Sequence, residues 1–321
     1  RTDSTHYSVQ AVNGRGNASS TYQSTNWQVF RAYTSLANAL DGSYAGTENA
    51  GIPAALRDFD AWGANHGKNI ASTTEIWNVA AYGDAVDTSS VWIVSASGWT
   101  TATATYIRIY TATSSTEVGV SQRHNGVWND NNYNMNLTSA GSSGIKIYVP
   151  NLKIDGLQIY QNALSPSGQG TIQDIDSAVG TRNLEISNNI LRGHNFSDNR
   201  WAGFYGFGSS VNGTVKIWNN IFYDWYSTGL YVGGVELENY GPIVYIYNNT
   251  FYNCLEGISG DGTTVAKNNL VASTTDPFTG TFAAGTDYNA TDINDTPGVG
   301  DNNRASQTFS FENTTAGSEN F

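Results

Sequence analysis

Residues 192–200 read RGHNFSDNR, so Arg192, His194, Asp198 and Arg200 fall within one short polar stretch. Side chains of these types support two kinds of chemistry on a sugar chain. Elimination needs a base for the proton beside a carboxylate and a cation to neutralise that carboxylate. His194 can be the base, and Arg192 or Arg200 the cation. Hydrolysis needs two carboxyls flanking the scissile bond, about 5–10 Å apart. Asp198 or Asp224, paired with Asp174 or Asp176 of "QDID", supplies the right groups. The plainer reading is that a solvated loop is polar because it is a loop, and that a histidine outside any motif is weak ground for catalysis. No P-loop, dinucleotide fingerprint or zinc spacing occurs, and His6, His66, His124 and His194 are far apart in sequence. "GDGTT" (260–264) is too short for a calcium-binding repeat. No cofactor or metal is therefore expected, with Ca2+ left open for want of a motif.

The elements that would position these residues are written in a repeat. "LEISNNILR" (184–192), "VKIWNNIFY" (215–223), "VYIYNNTFY" (244–252) and "TVAKNNLVA" (264–272) share one outline, and "LKIDGLQIY" (152–160) follows it with Gly156 and Leu157 at the centre. A fixed motif at variable spacing is the mark of a solenoid whose coils carry loops of different length. Before the central pair, apolar residues alternate: Leu184 and Ile186, Val215 and Ile217, Val244 and Ile246. Period two with β-branched residues means strand. After the pair the phase shifts, so the chain turns a corner there. Asparagine tolerates left-handed backbone and bonds to neighbouring main chain. Asn188, Asn189, Asn219, Asn220, Asn248, Asn249, Asn268 and Asn269 are thus expected to stack as a ladder, one rung every 4.8 Å or so.

These motifs resemble the right-handed parallel β-helix repeat of the pectate-lyase-like superfamily, in which asparagine stacks line one bend. The resemblance covers roughly 145–275. It implies an all-β solenoid with short N-terminal capping helices and an irregular C-terminal cap: 1–70 as the N-terminal cap, 71–275 as coils, 276–321 as a wrapping segment. "YTSLANAL" (33–40), capped by Ser35 or Thr34, and "IPAALRDFDAW" (52–62) are the expected helices. "EIWNVAAY" (75–82), "SVWIVSA" (90–96) and "YIRIYTA" (106–112) read as earlier coils, and "TFSFEN" (308–313) as one strand of the tail. The chain departs from the superfamily's enzymes. It has no adjacent Asp–Asp, no Arg-x-Lys, and GHN at 193–195 without a second glycine, and the clustered calcium aspartates of the lyases do not map onto it.

The same register places outward residues in files. One is Asp155, Ser187, Trp218, Tyr247, Lys267; a second is Lys153, Glu185, Lys216, Tyr245, Val265; a third is Tyr160, Arg192, Tyr223, Tyr252, Ala272. The alternating charges of the second file are explained by pairing between strands. Trp218, Tyr247, Tyr160, Tyr223 and Tyr252 are either rings that stack well across rungs or a strip for sugar rings or a protein partner.

The chain has 321 residues, 15 Lys plus Arg against 27 Asp plus Glu, and a net charge of −12. Such a balance disfavours nucleic acid, and no apolar run is long enough to span a membrane. One cysteine, Cys254, excludes an internal disulfide. Low lysine with abundant Ser, Thr and Asn suits an extracellular or cell-surface location, and Arg1 without a signal peptide reads as a processed start. Eight N-x-S/T sequons, among them Asn17, Asn136, Asn195 and Asn212, matter only in a host that glycosylates. Taken together these features point to a secreted or surface-displayed structural or adhesive module, binding polysaccharide or other copies of itself. The alternative is a polysaccharide lyase or glycoside hydrolase, including a virus tail-spike-like role.

Overall fold

The structure is a computed structural model, and it describes residues 33–40, 69–83, 85–93, 98–113, 121–138, 143–163, 170–175, 181–196, 201–209, 212–227, 232–314 and 320–321. Three parallel sheets of seven strands each run the length of the molecule. The first holds Trp77–Ala81, Ile107–Thr111, Asn151–Asp155, Arg182–Ser187, Gly213–Trp218, Ile243–Tyr247 and Thr264–Lys267. The second holds Met135–Leu137, Gln158–Gln161, Ile190–Arg192, Ile221–Tyr223, Thr250–Tyr252, Leu270–Ala272 and Ala290–Thr291. The third holds Val91–Ile93, Ile145–Ile147, Ile172–Ile175, Trp201–Phe207, Val232–Glu238, Glu256–Asp261 and Asp276–Thr281. The chain visits them in that cyclic order over most of its length, which makes a parallel β-helix. It is compatible with a right-handed winding, the hand that parallel crossovers adopt.

All three outward files lie in the expected register: Lys153 pairs with Glu185, Trp218 with Tyr247, and Arg192 stands between Tyr160 and Tyr223. The inward residues of the repeats, Ile154, Ile186, Ile217 and Ile246, are buried to within 1%. Ile217→Ala is therefore expected to cost about 2–5 kcal/mol, whereas Trp218→Ala, one residue on and half-buried outside, costs less. Paired denaturant titrations check this, and a larger loss at Trp218 would contradict the register.

Each corner uses left-handed backbone. Between the first and second sheets, Asn188, Asn219, Asn248 and Asn268 have φ of 54–55°, and Gly156 has 85°. The second residue of each pair turns inward and builds the ladder. Asn189 Nδ2 donates to Asn220 Oδ1 at 2.9 Å, Asn220 to Asn249 at 3.0 Å, and Asn249 to Asn269 at 3.0 Å. The two asparagines thus have different tasks: the second carries the buried amide ladder, while the first takes the left-handed conformation and makes at most a long 3.5 Å contact, Asn219 Nδ2 to Asn188 Oδ1. The irregular copy has a cause as well. A Cβ at Gly156 would lie 2.1 Å from the guanidinium of Arg123, which crosses the corner to reach Asp155.

The stack does not end at residue 275. Asn269 donates to Asn289 at 2.9 Å and Asn289 to Asn303 at 3.0 Å, so two further corners follow. At the other end, the helix Leu36–Leu40 buries Leu36, Ala37, Ala39 and Leu40. The Ser35 hydroxyl caps it, accepting from the Asn38 N–H at 3.1 Å. Trp99 Nε1 donates to the Leu40 carbonyl, tying the helix to the core. The helix expected over 52–62 lies outside the described residues. Residues 308–313 form no strand; they and Phe321 run back along the second sheet, where they bear on the candidate site.

Candidate functional site

The loop after Ile190–Arg192 opens a groove of about 350 Å³ lined by Tyr160, Arg192, His194, Asp224, Tyr226 and Asn253, among others. Arg192 lies over the Tyr160 ring at 4.5 Å and the Tyr223 ring at 5.6 Å, so the file itself holds the guanidinium flat. Its Nε stands 3.9 Å from Asp224 Oδ2. Asp224 occupies a left-handed corner, φ 62°, and accepts from Asn253 Nδ2 at 2.8 Å. His194 Nδ1 meets the Gln161 carbonyl at 3.0 Å, which fixes that nitrogen as a donor.

Arg192 and His194 are therefore brought together with Asp224, while Asp198, Arg200 and Asp176 lie outside the described residues. Asp174 is not part of the groove. It is fully buried and held by Arg182 Nε at 2.8 Å and by the Tyr240 hydroxyl. Its alternation partners, Ile147 and Gly206, place it on the inward face of the third sheet. Among the described residues of the groove, Asp224 is the one carboxylate, so the proposed two-carboxyl hydrolysis has half its equipment there.

The aromatic strip divides in two. Tyr223 is 2% exposed, with Phe321 tilted against it at 5.4 Å, and Tyr252 packs against Phe321 at 4.7 Å and Phe311 at 5.3 Å. The tail of the chain covers those two rings, which corrects the picture of an open strip along the second sheet. Tyr160 meets the edge of Trp128 at 6.3 Å and lines the groove. On the first sheet, Trp218, Tyr245 and Tyr247 stay half-buried, with Tyr245 and Tyr247 5.6 Å apart.

Two clusters were not legible in the sequence. On the first sheet, Asp155 accepts from Arg123 at 2.8 and 2.9 Å, Arg108 at 3.1 Å and Asn188 at 2.8 Å. Burial would raise the Asp155 pKa, but these donors outweigh it and hold the carboxyl at about 2. Beside it, burial lowers His124 to about 4. On the third sheet, Glu236 is 5% exposed and hydrogen-bonded to the carboxyl of Glu256, one rung away. Burial first, and Glu256 second, raise Glu236 well above the usual carboxylate range. Nearby, the Tyr205 hydroxyl donates to Glu238 Oε2 at 2.6 Å, and the Tyr205 and Phe207 rings stack at 6.3 Å.

These shifts act on stability in opposite senses. Glu236 binds its proton more tightly folded than unfolded, so its contribution is full below about pH 4.5 and fades as pH rises through the raised value. Asp155 is more acidic when folded, so its contribution is full above pH 3.8 and lost as pH falls toward 2. Glu236→Gln should flatten the alkaline side of the melting-temperature profile and Asp155→Asn the acid side. Profiles of both variants that parallel the wild type would overturn these assignments.

No helix among the described residues is long and apolar enough to cross a membrane, and no group of three or more His, Cys, Asp or Glu is gathered there for a metal. Cys254 is buried, and desolvation pushes its thiol up to about 12, so it is an inert packing residue. Comparison of the chain with family profiles, characterised proteins and solved structures finds no match. What stands is the architecture itself: a three-sheet solenoid of parallel strands.

Proposed function

We propose that this chain is a secreted or surface-displayed β-helix of the pectate-lyase-like class that serves as a structural and adhesive module. It meets glycan or protein through the flank of the first sheet. The observation that carries this reading is the patch formed by Trp218, Tyr245 and Tyr247, large rings set half-buried on two adjacent strands of the first sheet. Ring faces held in this way suit sugar rings or an apolar partner, whereas the rings of Tyr223 and Tyr252 are already occupied by the tail. The experiment is binding to a panel of plant, algal and bacterial polysaccharides, read by tryptophan fluorescence. Trp218→Ala should abolish the signal with the melting temperature nearly unchanged. Turnover of a polysaccharide that is lost in His194→Ala would replace this reading with a lyase.

A second reading, glycoside hydrolysis, has one specific observation in its favour. A buried carboxyl with a raised pKa, Glu236, beside a second carboxyl, Glu256, is the raw material of an acid–base pair, and the stacked Tyr205 and Phe207 lie near it. New reducing ends formed by the wild type and absent with Glu236→Gln would establish it.

A further inference from the structure

The scarce charges of this chain are sorted by flank. Arg108, Arg123, Lys153, Lys216 and Lys267 stand on or over the outer face of the first sheet, against Asp155 and Glu185. Arg108 and Arg123 are spent on Asp155 and Lys153 on Glu185; Lys216 is exposed, and Lys267, half-buried beside Tyr247, has Asp287 as its neighbour on the next rung. The upper third sheet is the converse. Glu256 and Asp276 are adjacent in register, Glu238 stands half-buried on the outer face of the neighbouring strand, and Asp295 bonds to the last rung through the Phe278 N–H. The basic residue described on that sheet, Lys146, is at its far end, over the Trp92 ring at 4.3 Å.

Like charges on adjacent rungs repel, and the interactions of this group show it: Asp276 is raised by burial and then by Asp295 and Glu256. A cation from outside would relieve this repulsion. Both flanks are parallel, in-register sheets, so both present side chains at the same rung spacing of about 4.8 Å. A second copy laid alongside can match its cations to these carboxylates rung by rung, with Phe207, 38% exposed, meeting the aromatic file.

We infer that copies of this chain associate side by side, the cationic and aromatic flank of the first sheet on one copy seated on the acidic flank of the third sheet on the next. The contact joins two different patches, so it leaves one of each free and propagates into open arrays. The net charge of −12 opposes the approach. Salt near 0.1 M, with a screening length of about 10 Å, damps that long-range repulsion while contact pairs persist, and 1 M salt weakens the contact itself. This inference rests on the reading of the first-sheet flank as a contact face.

The test is sedimentation velocity of the full chain with two charge-reversed variants, Lys216→Glu with Lys267→Glu, and Glu238→Lys with Asp276→Lys. The wild type should associate beyond dimers at 0.1 M salt and about tenfold more weakly at 1 M. Each variant alone should be monomeric, and their equimolar mixture should associate beyond dimers again, since the intact flanks of the two match and the two reversed flanks are once more opposite in charge. Circular dichroism and melting of both variants confirm that they fold. A wild type that stays monomeric while binding glycan through Trp218 overturns the inference and spares the functional reading. Association untouched by both charge variants and by Trp218→Ala overturns both.

Discussion

Arg182→Ala is expected to lower the stability of the β-helix by about 3–5 kcal/mol, as removal of one partner of a buried ion pair does. Both side chains of the Arg182–Asp174 pair are 0% exposed, and the Nε–Oδ2 distance is 2.8 Å. The guanidinium also donates to the Ile175 carbonyl at 3.0 Å, so it ties the end of a third-sheet strand to the start of the first-sheet strand Arg182–Ser187. The Tyr240 hydroxyl shares the same carboxylate, and burial together with Asp174 pushes that phenol up. Taking away the cation leaves Asp174 charged in the coil interior, able to escape only by taking a proton. The arrangement is costly to break without being a large net source of stability. A shape-matched apolar pair, Asp174→Leu with Arg182→Met, should recover most of the loss. Urea denaturation of the two singles and the double gives the coupling. A loss under about 1 kcal/mol for Arg182→Ala would mean that water reaches Asp174.

How much of this was written in the sequence follows from how local each cause is. Strand, corner and register were legible at 184–272, because burial on one face imposes period two and a two-residue corner imposes asparagine or glycine. The same ladder was not legible at Asn289 and Asn303, where the rungs are Tyr288–Asn289 and Asn302–Asn303 and the flanking strands shrink to Ala290–Thr291 or vanish. There the left-handed residue is Tyr288, φ 61°, which no propensity would nominate. The groove was half legible. Arg192 and His194 follow from their strand and loop, but Asp224 joins them from the next rung, and Asp174 leaves because its strand turns it inward. Partners far along the chain were hidden altogether. Nothing near Tyr223 announces that Phe321 will cover it, and nothing near Asp155 announces Arg123. The contact between Glu236 and Glu256 was hidden too: the third-sheet register sets Glu256 against Gly233 and passes through strands that carry no repeated motif, with Gly234 and Gly257 where the ladder skips a pair.

The second large effect is expected at Asn220, and it separates the two halves of the doubled asparagine. Asn220 Oδ1 accepts from both the backbone N–H and the Nδ2 of Asn189, each at 2.9 Å. Its Nδ2 donates to Asn249 Oδ1 at 3.0 Å, to the Ile186 carbonyl at 3.0 Å and to the Trp218 carbonyl at 3.1 Å. The residue is 1% exposed, so no water replaces these bonds when the amide is removed. Each buried group stranded in this way costs about 1–3 kcal/mol, which puts Asn220→Ala at roughly 3–5 kcal/mol. Asn220→Asp keeps the shape but turns every donor into an acceptor beside Asn249 Oδ1 and two carbonyls. It should be worse than alanine at pH 7 and recover part of the loss on acidification, as the carboxyl regains one proton to donate. Asn219, by contrast, is exposed with φ 55°, and its task is conformational. Asn219→Gly should be within about 1 kcal/mol of the wild type, and Asn219→Ala should cost about 1–2 kcal/mol through left-handed strain. Chemical denaturation of these four variants at pH 7 and pH 4 checks the whole pattern. If Asn219→Ala were the more damaging of the two alanines, the ladder would have to run through the outer residue of each pair, and the corner would have to be rebuilt around it.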